Sequence, residues 1–305
     1  MIDRKAVAAA AARIARYVRH TPVLHAELGT DSRAAMKLEL LQHAGSFKPR
    51  GAFNRLLTAS PPASGVIAAS GGNHGAAVAY AASRLNMPAE IFVPARAPAA
   101  KVARIASYGA QVVQVGDAYA QALLASRERQ RETGALEVHA YDHVDVLAGQ
   151  GTVGRELEQD APDLTHILVA TGGGGLIGGI AAWYSGSAHI VSVEPEGCPT
   201  LHQALRAGEP VDVQVGGIAA DSLGARQVGA LMYPIAARFV SQAVLVSDDA
   251  IRTAQRLLWD RFRLVTEPGG ATAVAALLSG RFTPPQGARV GVVICGANTD
   301  LGKLS

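Results

Sequence analysis

The sequence predicts an α/β fold built on mainly parallel sheets with helices on both faces. Short apolar runs alternate with helical stretches along the chain, and several of those runs empty into glycine-rich turns that lead into the next helix. Composition sets the scale: 305 residues, 49% hydrophobic and 17% charged, with 33 glycines, exclude a disordered, fibrous or disulfide-stapled chain. A chain this long buries roughly 75% of its unfolded surface, enough for one large core or two lobes.

The elements follow in order. Val7, Ala10, Ala11, Ile14 and Val18 recur at helical spacing and predict a first helix with one apolar face. Asp3 and the end of the apolar run at Arg13 favour that helix over a transit peptide. In Gly45-Ser46-Phe47-Lys48-Pro49, the proline suits a first helical position and Ser46 suits a cap. Gly65 to Ala69 reads as a strand running into Ser70-Gly71-Gly72-Asn73-His74-Gly75, with a helix from Ala76 to Leu85. Glu90 to Pro94 is the next strand, Lys101 to Tyr108 a helix and Gln111 to Val115 another strand.

Leu164 to Val193 carries no Asp, Glu, Lys or Arg and is long enough to span a bilayer. Gly172 to Gly175 interrupt it, so it parses as strand, glycine loop, helix, strand. Arg289 to Cys295 closes the series as a strand opening onto Gly296-Ala297-Asn298. In such sheets ligands bind beyond the carboxyl ends of the strands, where these glycine loops fall. Pro61-Pro62 and Pro284-Pro285 read as surface loops, and no fixed-period repeat is present.

Several function classes are excluded. The net charge of +3 and the absence of any run of five like charges argue against nucleic acid and membrane surfaces as partners. Two cysteines, Cys198 and Cys295, make no disulfide framework and suit a reducing cytoplasm. No serine stands in G-x-S-x-G and no H-E-x-x-H occurs; His139 and His143 sit in a strand- or turn-like context unsuited to a metal pair.

The remaining chemistry centres on lysine. The chain uses arginine 23 times and lysine only five times, at Lys5, Lys37, Lys48, Lys101 and Lys303. A lysine set among Gly45, Ser46, Phe47 and Pro49 is therefore a candidate for an amine that forms an imine, which guanidinium cannot do. Burial and the positive end of a helix dipole both disfavour its ammonium form. Four successive glycines cost on the order of 2 to 4 kcal/mol in backbone entropy if ordered, and a phosphate bound by their N–H groups at the start of a helix would offset that cost. The Ser70 to Gly75 turn offers N–H groups and the Asn73 side chain to an anion such as a substrate carboxylate. A rival stays open at this point: Gly173, Gly175 and Gly178 match G-x-G-x-x-G, and Glu194 lies about 20 residues on, the nicotinamide-dinucleotide fingerprint.

Taken jointly, the motifs resemble the serine/threonine dehydratase and serine racemase branch of the fold type II (tryptophan synthase β-like) pyridoxal-phosphate enzymes. The lysine motif is Gly45 to Ala52, the asparagine loop Ser70 to Gly75, and the tetraglycine loop Thr171 to Leu176; Ala148 to Thr152 and Glu267 to Ala271 also match. The similarity runs in order from Thr21 to Asn298. It implies two open, twisted, mainly parallel sheets, a large cofactor-binding lobe from 1–60 and 144–305, and a small lobe from 61–143. It implies that Lys48 forms the Schiff base with pyridoxal 5′-phosphate, that Phe47 packs on its ring, and that Asn73 bonds the ring hydroxyl. Gly172, Gly173, Gly174 and Gly175 would bind the phosphate, and Cys295 would face the pyridine nitrogen. Ser70, Gly71, Gly72, Asn73 and His74 would hold the carboxylate of an amino-acid substrate.

A thiol does not enforce a protonated ring as a carboxylate would, so elimination of a β-hydroxyl is favoured over transamination. The implied reaction is dehydrative deamination of a β-hydroxy amino acid to a 2-oxo acid and ammonia, with Lys48 as base and the cofactor phosphate as proton donor to the leaving hydroxyl. Alternatives on the same scaffold are a serine racemase and a 3-hydroxyaspartate ammonia-lyase. Serine racemases carry a serine where Gly71 stands, and a glycine transfers no proton. Relatives bind a cation through a glutamate like Glu194 together with an aspartate where Thr200 stands here; the resemblance leaves a monovalent or divalent cation held by Glu194 and carbonyls as an expectation. Cysteine synthases are less similar at Lys48-Pro49-Arg50 and at His74. The expectation extends to a cytoplasmic homodimer, with no C-terminal regulatory domain after Asn298.

Overall fold

The computed structural model describes residues 2–28 and 33–300; Lys303 lies outside them. Among the described residues ten strands form two sheets. The larger runs β1 (Val23–Glu27), β2 (Arg33–Lys37), β10 (Val290–Val293), β7 (His166–Ala170), β8 (His189–Pro195), β9 (Val240–Val246). Only β1 and β2 pair antiparallel in it. The smaller sheet, wholly parallel, runs β5 (Gln111–Gln114), β4 (Ala89–Val93), β3 (Val66–Ala69), β6 (Leu136–Glu137).

Helices fill the connections. In chain order they are α1 (Arg4–Ile14), α2 (Lys48–Ala59), α3 (Asn73–Arg84), α4 (Ala99–Ser107), α5 (Tyr119–Thr133) and α6 (Val144–Asp160). After them come α7 (Gly175–Tyr184), α8 (Thr200–Ala207), α9 (Ala220–Leu223), α10 (Tyr233–Phe239), α11 (Asp248–Phe262) and α12 (Pro268–Leu278). Strands β3, β4, β7 and β10 are buried along their length apart from Glu90 and His166, as expected where helices cover both faces. The uncharged stretch from Leu164 to Val193 resolves into β7, the glycine loop, α7 and β8. Among the described residues no helix is long and apolar enough to cross a membrane.

Two cores result. The larger sheet packs on residues such as Leu147, Ile177, Ile180 and Val274, and the smaller on Ala77, Val78, Ile91 and Ile105. Helix α2 belongs to the junction: Phe53 and Leu56 enter the smaller core, together with Ile14 from α1. Its other side sends Arg50 into a cluster of ions beside the larger core.

Three sequence expectations are corrected. Helix α1 stops at Ile14, so Val18 lies beyond it and packs, half-buried, against the smaller core. Helix α3 begins at Asn73 rather than Ala76, because its first turn is Asn73-His74-Gly75, which carries none of the apolar signal that starts at Ala76. Gly75 permits that early start, since a β-carbon there would stand 2.0 Å from the Ser70 carbonyl oxygen. Ser46 does not cap α2: Phe47 holds the cap position without a side-chain bond, and Ser46 is extended (φ −163°, ψ 167°) and bridged antiparallel to Gly296. The Ser46 hydroxyl is buried without a hydrogen-bond partner.

Candidate active site

Three strand ends converge where α2 begins. Strand β10 leads to Cys295, β7 to the tetraglycine loop and β3 to the Ser70 turn. The segment before α2 is tied to the first of these: Phe47 N–H donates to the Cys295 carbonyl (3.2 Å) and Ala297 N–H to the Gly45 carbonyl (2.9 Å). Lys48 therefore emerges beside Cys295. One cavity is lined by Phe47, Lys48, Asn73, Gly172 to Gly175, Glu267 and Cys295, so the expected cofactor-binding side chains and loop are brought together.

The Lys48 amine donates to the Ala140 carbonyl at 2.8 Å and lies 5.2 Å from the centre of the Phe47 ring. Desolvation by the surrounding protein lowers it from its ordinary range to about 8, partly offset by Cys295 and Glu267. Burial pushes the Cys295 thiol strongly upward, so it stays protonated, and Sγ donates to the Gly269 carbonyl at 3.4 Å. Lysine scarcity was only a partial guide, because Lys37 is also buried, held by Glu156, Asp160 and the Thr21 carbonyl.

Among the described residues, the N–H groups of Gly172, Gly173 and Gly174 donate to no protein acceptor. They point from the start of α7, the arrangement that binds a phosphate. Part of the glycine cost has a second cause. A β-carbon at Gly173 would stand 2.5 Å from the Tyr141 ring and one at Gly175 2.9 Å from its Cβ. Tyr141, read from sequence only as part of a strand or turn, is a wall of the site. It is steadied by its hydroxyl on the Gln227 carbonyl (3.2 Å) and its ring against His139 (4.9 Å).

In the Ser70 turn, Gly72 N–H is taken by the Ser70 hydroxyl at 3.2 Å, whereas the N–H groups of Gly71, Asn73 and His74 have no acceptor among the described residues. Gly71, Gly72 and Asn73 line a pocket adjoining the cofactor cavity; neither Ser70 nor His74 lines it. The His74 ring turns away to donate from Nε2 to the Val138 carbonyl (2.7 Å), and burial followed by the Lys48 charge lowers it to about 3. His74 thus stays neutral, with its ring engaged away from the cavity. The Asn73 amide donates to Glu267 at 2.5 Å and accepts from Asn298 at 2.6 Å. Burial raises Glu267 to about 7, opposed by the bond from Asn73.

Outside the cavity, Arg50 is fully buried and paired in double contact with both Glu39 and Glu156. Burial alone would lower it, but the two carboxylates hold it further above its ordinary value. A cleft of about 910 Å³ shares Ser222 and Glu267 with the cavity and is lined by Lys101, Arg104, Asp221, Arg252 and Arg256 among others; Lys101 on α4 pairs with Asp221 on α9. Glu194 takes no part. Its oxygens accept from the N–H groups of Leu201 (2.6 Å) and His202 (2.8 Å) at the start of α8, and burial raises it to about 8. The dinucleotide rival needs that carboxylate facing a ribose, which this placement forbids. Thr200 bonds the Ala225 carbonyl, and no group of three or more His, Cys, Asp or Glu is placed for a metal among the described residues.

Comparison with known proteins matches these features. The family profile described as "Pyridoxal-phosphate dependent enzyme" matches residues 14–296. A phenylserine dehydratase from Ralstonia pickettii is 39% identical over 98% of this chain and 94% of its own, and an L-threonine ammonia-lyase from Geobacter sulfurreducens is 38% identical over 96% of this chain and 75% of its own. The structure of maize serine racemase superimposes with a TM-score of 0.94 at 34% identity, covering 99% of this chain and 95% of that one.

Proposed function

The chain belongs to the pyridoxal-phosphate dependent enzyme family, and from that premise we propose that it is a lyase acting on a β-hydroxy amino acid such as threonine or serine, releasing ammonia and a 2-oxo acid. The observation that supports this is the lone placement of Lys48 as a base. Of the titratable groups lining the cofactor cavity among the described residues, Cys295 and Tyr141 are held protonated by burial, and Glu267 is engaged by Asn73. Gly71 adds no side chain to the adjoining pocket, so no second proton-transfer group faces the substrate from that loop.

The residues present fit the cofactor: an amine lowered to about 8, three unclaimed N–H groups at a helix start, and a neutral thiol in one cavity. When bound, pyridoxal phosphate supplies an electron sink conjugated to the substrate nitrogen. Lys48 would hold its aldehyde carbon, and Lys48 Nζ is the atom that would take the substrate Cα proton. Gly172, Gly173 and Gly174 would anchor the phosphate through their N–H groups. Gly71, Asn73 and His74 orient the substrate carboxylate through theirs, fixing the Cα–H bond toward Lys48. Cys295, its proton directed to Gly269, would offer the ring nitrogen only a weak partner.

The likeness to maize serine racemase supports a second reading, racemisation, against which Gly71 stands. Purified protein should be yellow and should release 2-oxo acid and ammonia in equal amounts from one or more of serine, threonine, phenylserine and 3-hydroxyaspartate isomers. Interconversion of enantiomers without ammonia would establish the racemase instead. The proposal extends to a cytoplasmic homodimer: Cys198 and Cys295 are free thiols, and Leu41, Val144 and Leu231 leave apolar surface for a second copy to cover. Sedimentation velocity tests that state. The division into lobes 1–60 with 144–305 and 61–143 is supported by the smaller sheet, whose strands all fall in the latter segment.

A further inference from the structure

A chain of four hydrogen-bonding groups runs along one side of the cofactor cavity. At one end is the Ala44 carbonyl, which can only accept. The Asn298 amide nitrogen donates to it at 2.8 Å and, with its second hydrogen, to Asn73 Oδ1 at 2.6 Å. Asn73 Nδ2 then donates to Glu267 Oε1 at 2.5 Å. Each bond dictates the next. The backbone carbonyl fixes which end of the Asn298 amide faces it, Asn298 fixes Asn73, and the carboxylate of Glu267 receives what Asn73 has left to give.

The chain is held rigidly. Gly45, beside Ala44, has φ +72°, and a β-carbon on it would stand 2.4 Å from Asn298 Oδ1. Gly296, whose β-carbon would stand 2.1 Å from Glu267 Oε1, receives the Glu267 N–H at its carbonyl. Asn73 lines the cavity and retains one Nδ2 hydrogen that neither Glu267 nor Asn298 uses.

We infer that Glu267 and Asn298 are positioning residues that lock the polarity of the Asn73 amide, so that Asn73 offers the cofactor ring an N–H donor and never its carbonyl. The inference rests on the cofactor reading above and deepens it, adding two residues to which no role had been given. An N–H donor favours a ring hydroxyl that has lost its proton, whereas a carbonyl in the same place would favour the protonated form. Turning the amide over would set Asn73 Oδ1 against a carboxylate and Nδ2 against the Asn298 donor, so each neighbour adds to the cost of the flip and both are needed to hold the amide fully.

The test compares two probes on the full-length chain stripped of cofactor: pyridoxal 5′-phosphate and 3-deoxypyridoxal 5′-phosphate, each titrated by its visible absorbance. The ratio of the two affinities isolates the ring hydroxyl from phosphate binding and from general folding. Asn73→Ala should lower the ratio about tenfold, the size of one well-oriented hydrogen bond. Asn298→Asp, which replaces the donor facing Asn73 by an acceptor, should lower it by the same factor while the affinity for the deoxy probe stays within about twofold. Glu267→Gln can still accept at its amide oxygen and should leave the ratio unchanged, whereas Glu267→Leu should lower it. If Asn298→Asp does not fold, Asn298→Ala serves, with an expected drop of a few-fold. A ratio lowered by Asn73→Ala but untouched by changes at both 267 and 298, or a weakening of both probes alike by those changes, would overturn the inference. A ratio indifferent to Asn73→Ala would instead overturn the assignment of Asn73 to the ring hydroxyl, and this inference with it.

Discussion

The Tyr141 ring is pressed onto Gly173 so closely that a β-carbon on the glycine would stand 2.5 Å from it. This contact keeps the backbone of the tetraglycine loop bare where it lines the cavity. Gly173→Ala is therefore expected to weaken pyridoxal phosphate binding by tenfold or more, as read by absorbance titration. Adding Tyr141→Ala should restore part of the affinity by removing the obstacle. An alanine at 173 that binds as wild type would show that the loop shifts freely.

Lys48→Ala should lower turnover by about 10²- to 10⁴-fold or more and remove the visible band that borohydride reduces. Steady-state release of 2-oxo acid checks the first, and a spectrum with and without borohydride the second. Retained activity would sink the mechanism.

Gly71→Ser should fold normally, because a β-carbon there meets only Val93 and Ala97, at 3.7 to 4.0 Å. The substitution supplies the proton-transfer group that position 71 lacks. Expected is the appearance of enantiomer interconversion by chiral chromatography, with a reduced share of ammonia release and a melting temperature within a few degrees of wild type.

His74 gives the fold a defined acid sensitivity. Its ring is lowered from the ordinary 6.5 to about 3, so between those values the unfolded chain binds a proton that the native chain refuses. Stability is therefore complete above about pH 6.5 and is lost as pH falls toward 3, by up to tenfold in the unfolding equilibrium per pH unit. His74→Gln keeps an N–H for the Val138 carbonyl and should remove that slope. Urea titrations of both proteins at several pH values give the difference directly; parallel curves would refute it.

Arg50→Met strands the buried carboxylate of Glu39 and leaves Glu156 to Lys37 alone, and is expected to cost about 3 to 5 kcal/mol in denaturant unfolding. Arg50→Lys should recover only part, since an ammonium cannot contact both carboxylates in double fashion.

Most of the architecture was legible because it follows periodicity and punctuation. Strands such as Val66–Ala69 and Val290–Val293 are short apolar runs closed by glycine turns, and helices such as α4 carry a clear apolar face. What escaped depends on partners distant in sequence. Ser46 looks like a cap, but its backbone is claimed by Gly296, 250 residues away. Tyr141 carries no local sign that it will meet Gly173. Glu267 was visible within its glycine motif, yet its role appears only when Asn73 and Asn298 are brought to it from opposite ends of the chain. His74 was read as part of a turn offering N–H groups to an anion, and nothing local shows that its side chain answers to Val138.

Helix α2 has Phe53 and Leu56 inside the core of the smaller sheet and Arg50 locked to Glu156 on α6, a helix of the larger one. Neither sheet can lose its packing without dislodging a helix that the other also needs. Heat should consequently dismantle both together, in a single calorimetric peak whose van't Hoff and measured enthalpies agree. The Lys48 amine sits on the first residue of that shared helix, so its placement is tied to the packing of both sheets.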